Sequence, residues 1–121
     1  GVSAEVLSVY RELADAGELK LRIAAMADGD AQALQDLCKT GLYTHPGGHL
    51  KMRSVKLYMD GALGSRGAAL TADYSDAPGQ RGLLVTPAER IEAAAVRARD
   101  CGVQVATHAI GDRGNRVVLD Q

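Results

Sequence analysis

Lys56 interrupts an apolar run, Val55-Lys56-Leu57-Tyr58-Met59. An ammonium among aliphatic side chains is costly, which favours the neutral amine. Such an amine is a nucleophile that can form a Schiff base, or take up carbon dioxide to become a carbamate that ligates metals as a carboxylate does. The other reading of Lys56 is an ammonium paired with a buried aspartate. His108 follows a second apolar run, Val103 to Thr107. Its imidazole suits Zn, Ni or Fe, and with a carbamate oxygen would make a mixed N/O shell for a divalent Lewis acid. A hydrogen-bonded core or surface histidine fits the same position. Asp112 either orients that ring or caps the helix that follows. Arg66, inside Gly-Ala-Leu-Gly-Ser-Arg-Gly-Ala-Ala-Leu from Gly61 to Leu70, is either a clamp for a substrate carboxylate or carbonyl, or a solvated loop arginine.

Other residue types are less promising. His45 and His49 stand four apart, but Pro46, Gly47 and Gly48 between them exclude the helix on which a His-x-x-x-His pair would share a face. No glycine pattern makes a phosphate cradle. Cys38 and Cys101 are too few and too distant for a disulfide scaffold or zinc knuckle, and read as reduced core residues of a cytoplasmic protein. With 14 basic against 15 acidic residues the net charge is −1, so the chain lacks the bulk charge of a nucleic-acid or membrane-surface binder. No apolar run approaches the roughly 20 residues of a membrane span. Four Tyr with no Phe or Trp leave few stacking surfaces, and the core must come from aliphatic residues.

The elements that position these groups follow from periodicity. Val6, Val9, Tyr10 and Leu13 set a helix over Ser3 to Ala16, with Ser3 as N-cap and Gly17 as its stop. Leu19 to Met26 predicts a strand, Ala31 to Lys39 a helix capped by Asp30, and Tyr43 to Leu50 a loop. Arg53 to Met59 predicts a second strand. The glycine-rich stretch from Asp60 to Val85 is far longer than an ordinary connection, and is expected to be a mobile, partly disordered wall of a pocket. Thr86, Pro87 and Glu89 form a capping-box start for a helix whose stripe is Ile91, Ala94, Ala95, Ala98 and Cys101. Val103 to Thr107 is a third strand that delivers His108, and Asp112 opens a last helix. Strands alternating with helices predict an α/β fold of parallel β/α units, about three of the eight in a (β/α)₈ barrel. Reactive groups in such folds collect at the C-terminal strand ends, where Lys56 to Asp60 and His108 lie.

Three ordered motifs go further. Val55 to Arg66 (VKLYMDGALGSR), Tyr74 to Leu84 (YSDAPGQRGLL) and Thr107 to Arg116 (THAIGDRGNR) resemble amidohydrolase family 3 of the metal-dependent amidohydrolase superfamily, a branch that includes N-substituted formamide deformylase. The resemblance covers Leu50 to Gln121, and less distinctively Gly1 to Met26. It implies a (β/α)₈ barrel with a small β-sandwich domain in a longer chain. Lys56 matches the lysine after the fourth strand, carboxylated and metal-bridging in relatives, and His108 matches the metal-binding histidine after the fifth. Gly67 stands where relatives often carry Thr. The family's His-x-His pair, second histidine and general-base aspartate have no counterpart here, so no catalytic residue is assigned.

The resemblance thus implies part of an enzyme that hydrolyses the C–N bond of a small-molecule amide, formamide or cyclic amide by metal-activated hydroxide. One or two divalent ions, zinc above all, and carbon dioxide as the lysine carbamate are the implied cofactors. Lys56 and His108 are the implied metal ligands, and Arg66 is the candidate substrate contact. The alternative is a non-catalytic α/β interaction or regulatory module. Residues 1–121 alone are expected to be inactive and to self-associate through exposed barrel edges.

Overall fold

The computed structural model describes residues 1–29 and 31–121, without the side chain of Ala31. The elements are α1 (Ala4–Asp15), β1 (Ile23–Asp28), α2 (Ala31–Thr40), β2 (Tyr43–Thr44), β3 (Leu50–Tyr58), α3 (Ala88–Asp100), β4 (Gln104–His108) and α4 (Asp112–Leu119). The expected α/β class is present: β1 and β3 pair in parallel, and β4 also pairs with β3. The expected loop over Tyr43 to Leu50 contains the two-residue strand β2, which pairs antiparallel with β3. No helix among the described residues is long and apolar enough to cross a membrane. The chain divides into two compact units, residues 1–56 with 94–106, and residues 57–93 with 107–121.

In the first unit, the Ser3 hydroxyl caps α1 by accepting the Val6 N–H, as expected. The face that α1 buries is Leu7 and Ala14, whereas Val6 and Val9 of the expected stripe are exposed. Seven residues make two turns, so Leu7 and Ala14 share a face that the Val spacing does not select. The strand expected over Leu19 to Met26 begins only at Ile23, since the N–H groups of Glu18 and Leu19 are taken by the Leu13 carbonyl at the end of α1. Asp30, the expected cap of α2, lies outside the described residues. Ala25, Ala27, Leu34, Leu37, Leu50 and Val55 are among the core residues of this unit.

The register of β1 on β3 steps by one residue: Ala25 pairs with Met52 but Met26 with Ser54, leaving Arg53 unmatched. An extra residue reverses the alternation of faces. Leu50 and Met52 are buried before it, and Val55 and Leu57 after it. Cys38 and Cys101 form a disulfide across 63 residues. The expectation that they are reduced is therefore corrected: α2 and the end of α3 bring together two residues whose separation in sequence carries no pairing signal.

The second unit has Leu57, Met59, Ala68, Ala69, Tyr74 and Ile91 as its apolar core. Pro87 accepts the Ile91 N–H, so it stands at the capping position of α3 and not inside the first turn. Residues 60–85 form no helix or strand, yet they are densely tied. Leu70 donates to the Arg81 carbonyl and Tyr74 to that of Gln80, each at 2.8 Å, and the buried Tyr74 hydroxyl donates to Ala68 at 2.9 Å. Arg66 pairs with Asp76 and Arg81 with Asp73. Backbone groups satisfied within the segment give it a defined path, against the expectation of a partly disordered loop.

Candidate functional site

The site that the sequence points to is the end of β4 in the second unit. His108, the last residue of β4, keeps 27% of its side chain exposed. Its carbonyl accepts the Met59 N–H at 2.8 Å. Its Nε2 lies 3.4 Å from the Gly61 carbonyl and 3.6 Å from Asp60 Oδ1, and its ring centroid is 5.9 Å from that of Tyr58.

Asp60, which the sequence marks only as a strand-end position opening the glycine-rich stretch, has a larger part in the site than its spacing suggests. It is buried, at 2% exposure. Its carboxylate accepts N–H bonds from Ala69 at 2.9 Å, Ile110 at 2.9 Å and Gly111 at 2.7 Å. Burial is the largest single influence on this carboxyl and pushes its pKa up. The bonds from Ile110, Ala69 and Gly111, with the nearby His108, together outweigh it and hold the group below the ordinary carboxylate range. Asp60 is thus an anion fixed against the backbone on both sides of the site. A buried acid before a strand-ending glycine is the available signal, but an Asp-Gly pair reads first as a turn.

Glycines make this approach possible. A Cβ on Gly111 would stand 1.9 Å from the Ala69 oxygen, and one on Gly114 would stand 2.6 Å from Asp60 Oδ2. Asp112 neither orients His108 nor sits at the cap, a place held by Gly111. Its carboxylate instead accepts from the Thr71 N–H and hydroxyl and from the Arg113 N–H, anchoring the long segment to the start of α4. The Thr71 hydroxyl, foremost, lowers its pKa. Arg66 adopts φ +56° and makes paired contacts with Asp76, Nη2 to Oδ2 at 3.0 Å and Nε to Oδ1 at 3.4 Å. Each partner stabilises the charge of the other.

Lys56 belongs to the first unit. It is half-buried, and its register partner on β1 is Asp28. Val55 and Leu57, the apolar neighbours expected to desolvate it, point to the opposite face of the strand, so that argument for a neutral amine does not hold. His45 is fully engaged: its Nδ1 accepts the Gly47 N–H at 3.0 Å, and its Nε2 lies 3.0 Å from Asp15 Oδ1. Since Nδ1 accepts, Nε2 carries the proton and donates to the carboxylate. His49 Nδ1 is buried with no hydrogen-bond partner among the described residues, beside a cavity of about 320 Å³ lined also by Leu19 and Lys20.

Among the described residues, no three His, Cys, Asp or Glu side chains gather as a metal site. The donor types at hand nonetheless suit a divalent ion. His108, with 27% of its side chain exposed, offers an imidazole nitrogen.

Residues 1–121 overlay 99% of their length on an uncharacterized metal-dependent hydrolase from Pyrococcus horikoshii OT3, with a TM-score of 0.88 and 36% identity, and cover 24% of that chain. A metal-dependent hydrolase from Pyrococcus furiosus gives 0.87 and 36%, with 25% of it covered. Protein LONG AFTER FAR-RED 3 of Arabidopsis thaliana is 41% identical over 71 residues, and YtcJ of Bacillus subtilis (strain 168), an amidohydrolase by name, is 38% identical over 74. Those stretches are 59% and 61% of this chain but only 12% and 14% of the two relatives. The parallel β/α architecture is compatible with part of a (β/α)₈ barrel. The sequence pattern of the amidohydrolase family spans residues 2–121, and the chain belongs to that family.

Proposed function

We propose that the protein carrying these residues is a metal-dependent hydrolase of a small-molecule C–N bond, in an amide, a formamide or a cyclic amide. Its nearest chemistry is that of N-substituted formamide deformylase. The observation that carries this reading is His108 at the end of β4, partly exposed, with its Nε2 3.4 Å from the Gly61 carbonyl and 3.6 Å from Asp60 Oδ1. His108 and a carboxylated Lys56 would contribute to holding one or two divalent ions, zinc first among them. A bound ion supplies Lewis acidity toward the carbonyl and activates water. A catalytic zinc usually takes about three protein ligands, so these two residues act with donors from elsewhere in the protein.

The chain's own residues have distinct tasks. Asp60 and the backbone of residues 108–111 hold the imidazole in place. A guanidinium has five N–H donors, more than its two contacts with Asp76 use, so Arg66 can meet a substrate carbonyl or carboxylate without leaving its partner.

The complete natural protein, reconstituted with zinc and bicarbonate, is expected to release amine from a panel of formamides and acyl-amides. Inactivity across metals and substrates would instead support a non-catalytic interaction or regulatory module. Lys56→Ala is expected to lose bound metal and activity, with partial rescue by a short-chain carboxylic acid. Full metal content in that variant would remove Lys56 from the ligand set.

A further inference from the structure

The bond between Cys38 and Cys101 sits where two helices end. Cys38 stands in the last turn of α2, and Cys101 directly follows α3. The Arg97 carbonyl lies 3.1 Å from Cys101 Sγ and 3.9 Å from Cys38 Sγ, so both sulfurs rest against the last turn of α3. Among the described residues α2 packs chiefly on β1, which makes the bond its direct hold on α3. Behind Cys101 the chain turns sharply: Gly102 takes φ +71° and donates to the Arg99 carbonyl, and the buried Val103 donates to that of Ala98 at 2.8 Å. β4 starts at the next residue. A link at Cys101 is therefore a link to the root of β4.

Access is a second observation. Both cysteines are only half-buried, whereas their neighbours Leu34, Leu37, Ala98 and Val103 are buried. A Cβ on Gly102 would meet no atom within 4 Å, so open space adjoins Cys101. Thiol–disulfide exchange needs such space, since the attacking thiolate must reach one of the two sulfurs. A bond that only braces a fold does not.

We propose that the Cys38–Cys101 bond is a redox-responsive tether, opened by a dithiol in the folded protein, whose state sets how firmly α2 and the root of β4 are held. One thiolate of the dithiol attacks a cysteine sulfur, the S–S bond breaks, and the released cysteine takes up a proton. The second thiol then attacks the mixed disulfide and frees the other cysteine. Two electrons and two protons pass to the protein, and the dithiol leaves as a disulfide. Opening a link across 63 residues returns loop-closure entropy to the unfolded chain and raises the unfolded fraction by up to about 1,000-fold. Leu34, Leu37 and Val103 stay packed without either sulfur, so the reduced form keeps its fold.

Dithiothreitol is the probe, on the complete natural protein. Alkylation of the native protein followed by peptide mass spectrometry reads Cys38 and Cys101 individually. Both are expected to be blocked before treatment, labelled after treatment without denaturant, and blocked again once oxidised glutathione replaces the dithiol. Circular dichroism is expected to be unchanged throughout. Hydrogen exchange in α2 and in residues 101–106 is expected to quicken at least about 10-fold on reduction. The Cys38→Ser, Cys101→Ser double variant is expected to match the reduced wild type and not to respond to the dithiol.

Labelling only in denaturant overturns the proposal, because the bond is then a sealed brace. Labelling before treatment overturns it too, since the bond is then not formed. Loss of the circular dichroism signal when the wild type is reduced makes the bond a condition of folding and not a switch. Unchanged exchange in a reduced, folded protein removes the tether. Should the double variant not fold, the wild-type comparison decides alone.

Discussion

Acid meets this molecule first at its buried and bonded carboxylates. Asp60, held by three backbone N–H groups, keeps a folded-state pKa below that of the unfolded chain, as do the more exposed Asp73 and Asp112. On acidification the unfolded state takes up the protons first. The stability these groups contribute is therefore complete above about pH 4 and drains away as pH falls through their folded-state values. Thermal melts between pH 2 and 6 are expected to show a midpoint that drops below about pH 4. Asp60→Asn is expected to melt lower at neutral pH and to show a shallower acid dependence. An acid slope identical to that of the wild type would mean that Asp60 contributes nothing to it.

Residues also differ in how visible they are before folding. His108 and Lys56 stand out because a polar group beside an aliphatic run is unusual wherever it occurs. Asp60 does not, because its partners are 9, 50 and 51 residues away and nothing local distinguishes it from a turn former. The half-exposed face that Lys56 occupies was hidden for a related reason. It depends on a register step between two strands, and no single segment contains that information.

At the scale of elements, helices with strong local signals are the most legible. α3 buries Ile91 and Ala98 as its spacing demands, and α1 takes its cap from Ser3. The segment over residues 60–85 was legible only as an absence of periodicity. Its order comes from pairings such as Thr71 with Asp112, whose two halves lie 41 residues apart. Close backbone approach makes a specific demand here. Gly111→Ala would drive a methyl group into the Ala69 carbonyl, and is expected to cost at least about 1–3 kcal/mol in urea unfolding. Gly64→Ala in the same segment meets open space, and is expected to stay within about 0.5 kcal/mol of wild type. Equal effects would argue against tight packing at Gly111.

At the scale of the whole molecule, the parallel α/β plan followed from the alternation of helices and strands, whereas the covalent link did not. The Cys38–Cys101 bond closes a loop of 63 residues. Loop-closure entropy alone gives such a link a stabilising contribution of about 4 kcal/mol. Replacing both cysteines with serine is expected to lower the unfolding free energy by up to that amount, and non-reducing intact mass is expected to fall about 2 Da below the reduced value, the two hydrogens lost on oxidation. Two titratable thiols in the native protein would show that the bond is not formed.

The unmatched Arg53 in β3 works as a phase shifter. Ahead of it the strand answers to one demand, placing Leu50 and Met52 in the core. Beyond it the parity is inverted, so Val55 takes the inward place and Lys56 the outward one. The two stretches can therefore diverge in sequence without disturbing each other, provided the count of residues between them is kept. A one-residue deletion there would be far worse than any substitution, since it would exchange the roles of Val55 and Lys56 while leaving every remaining residue chemically unchanged.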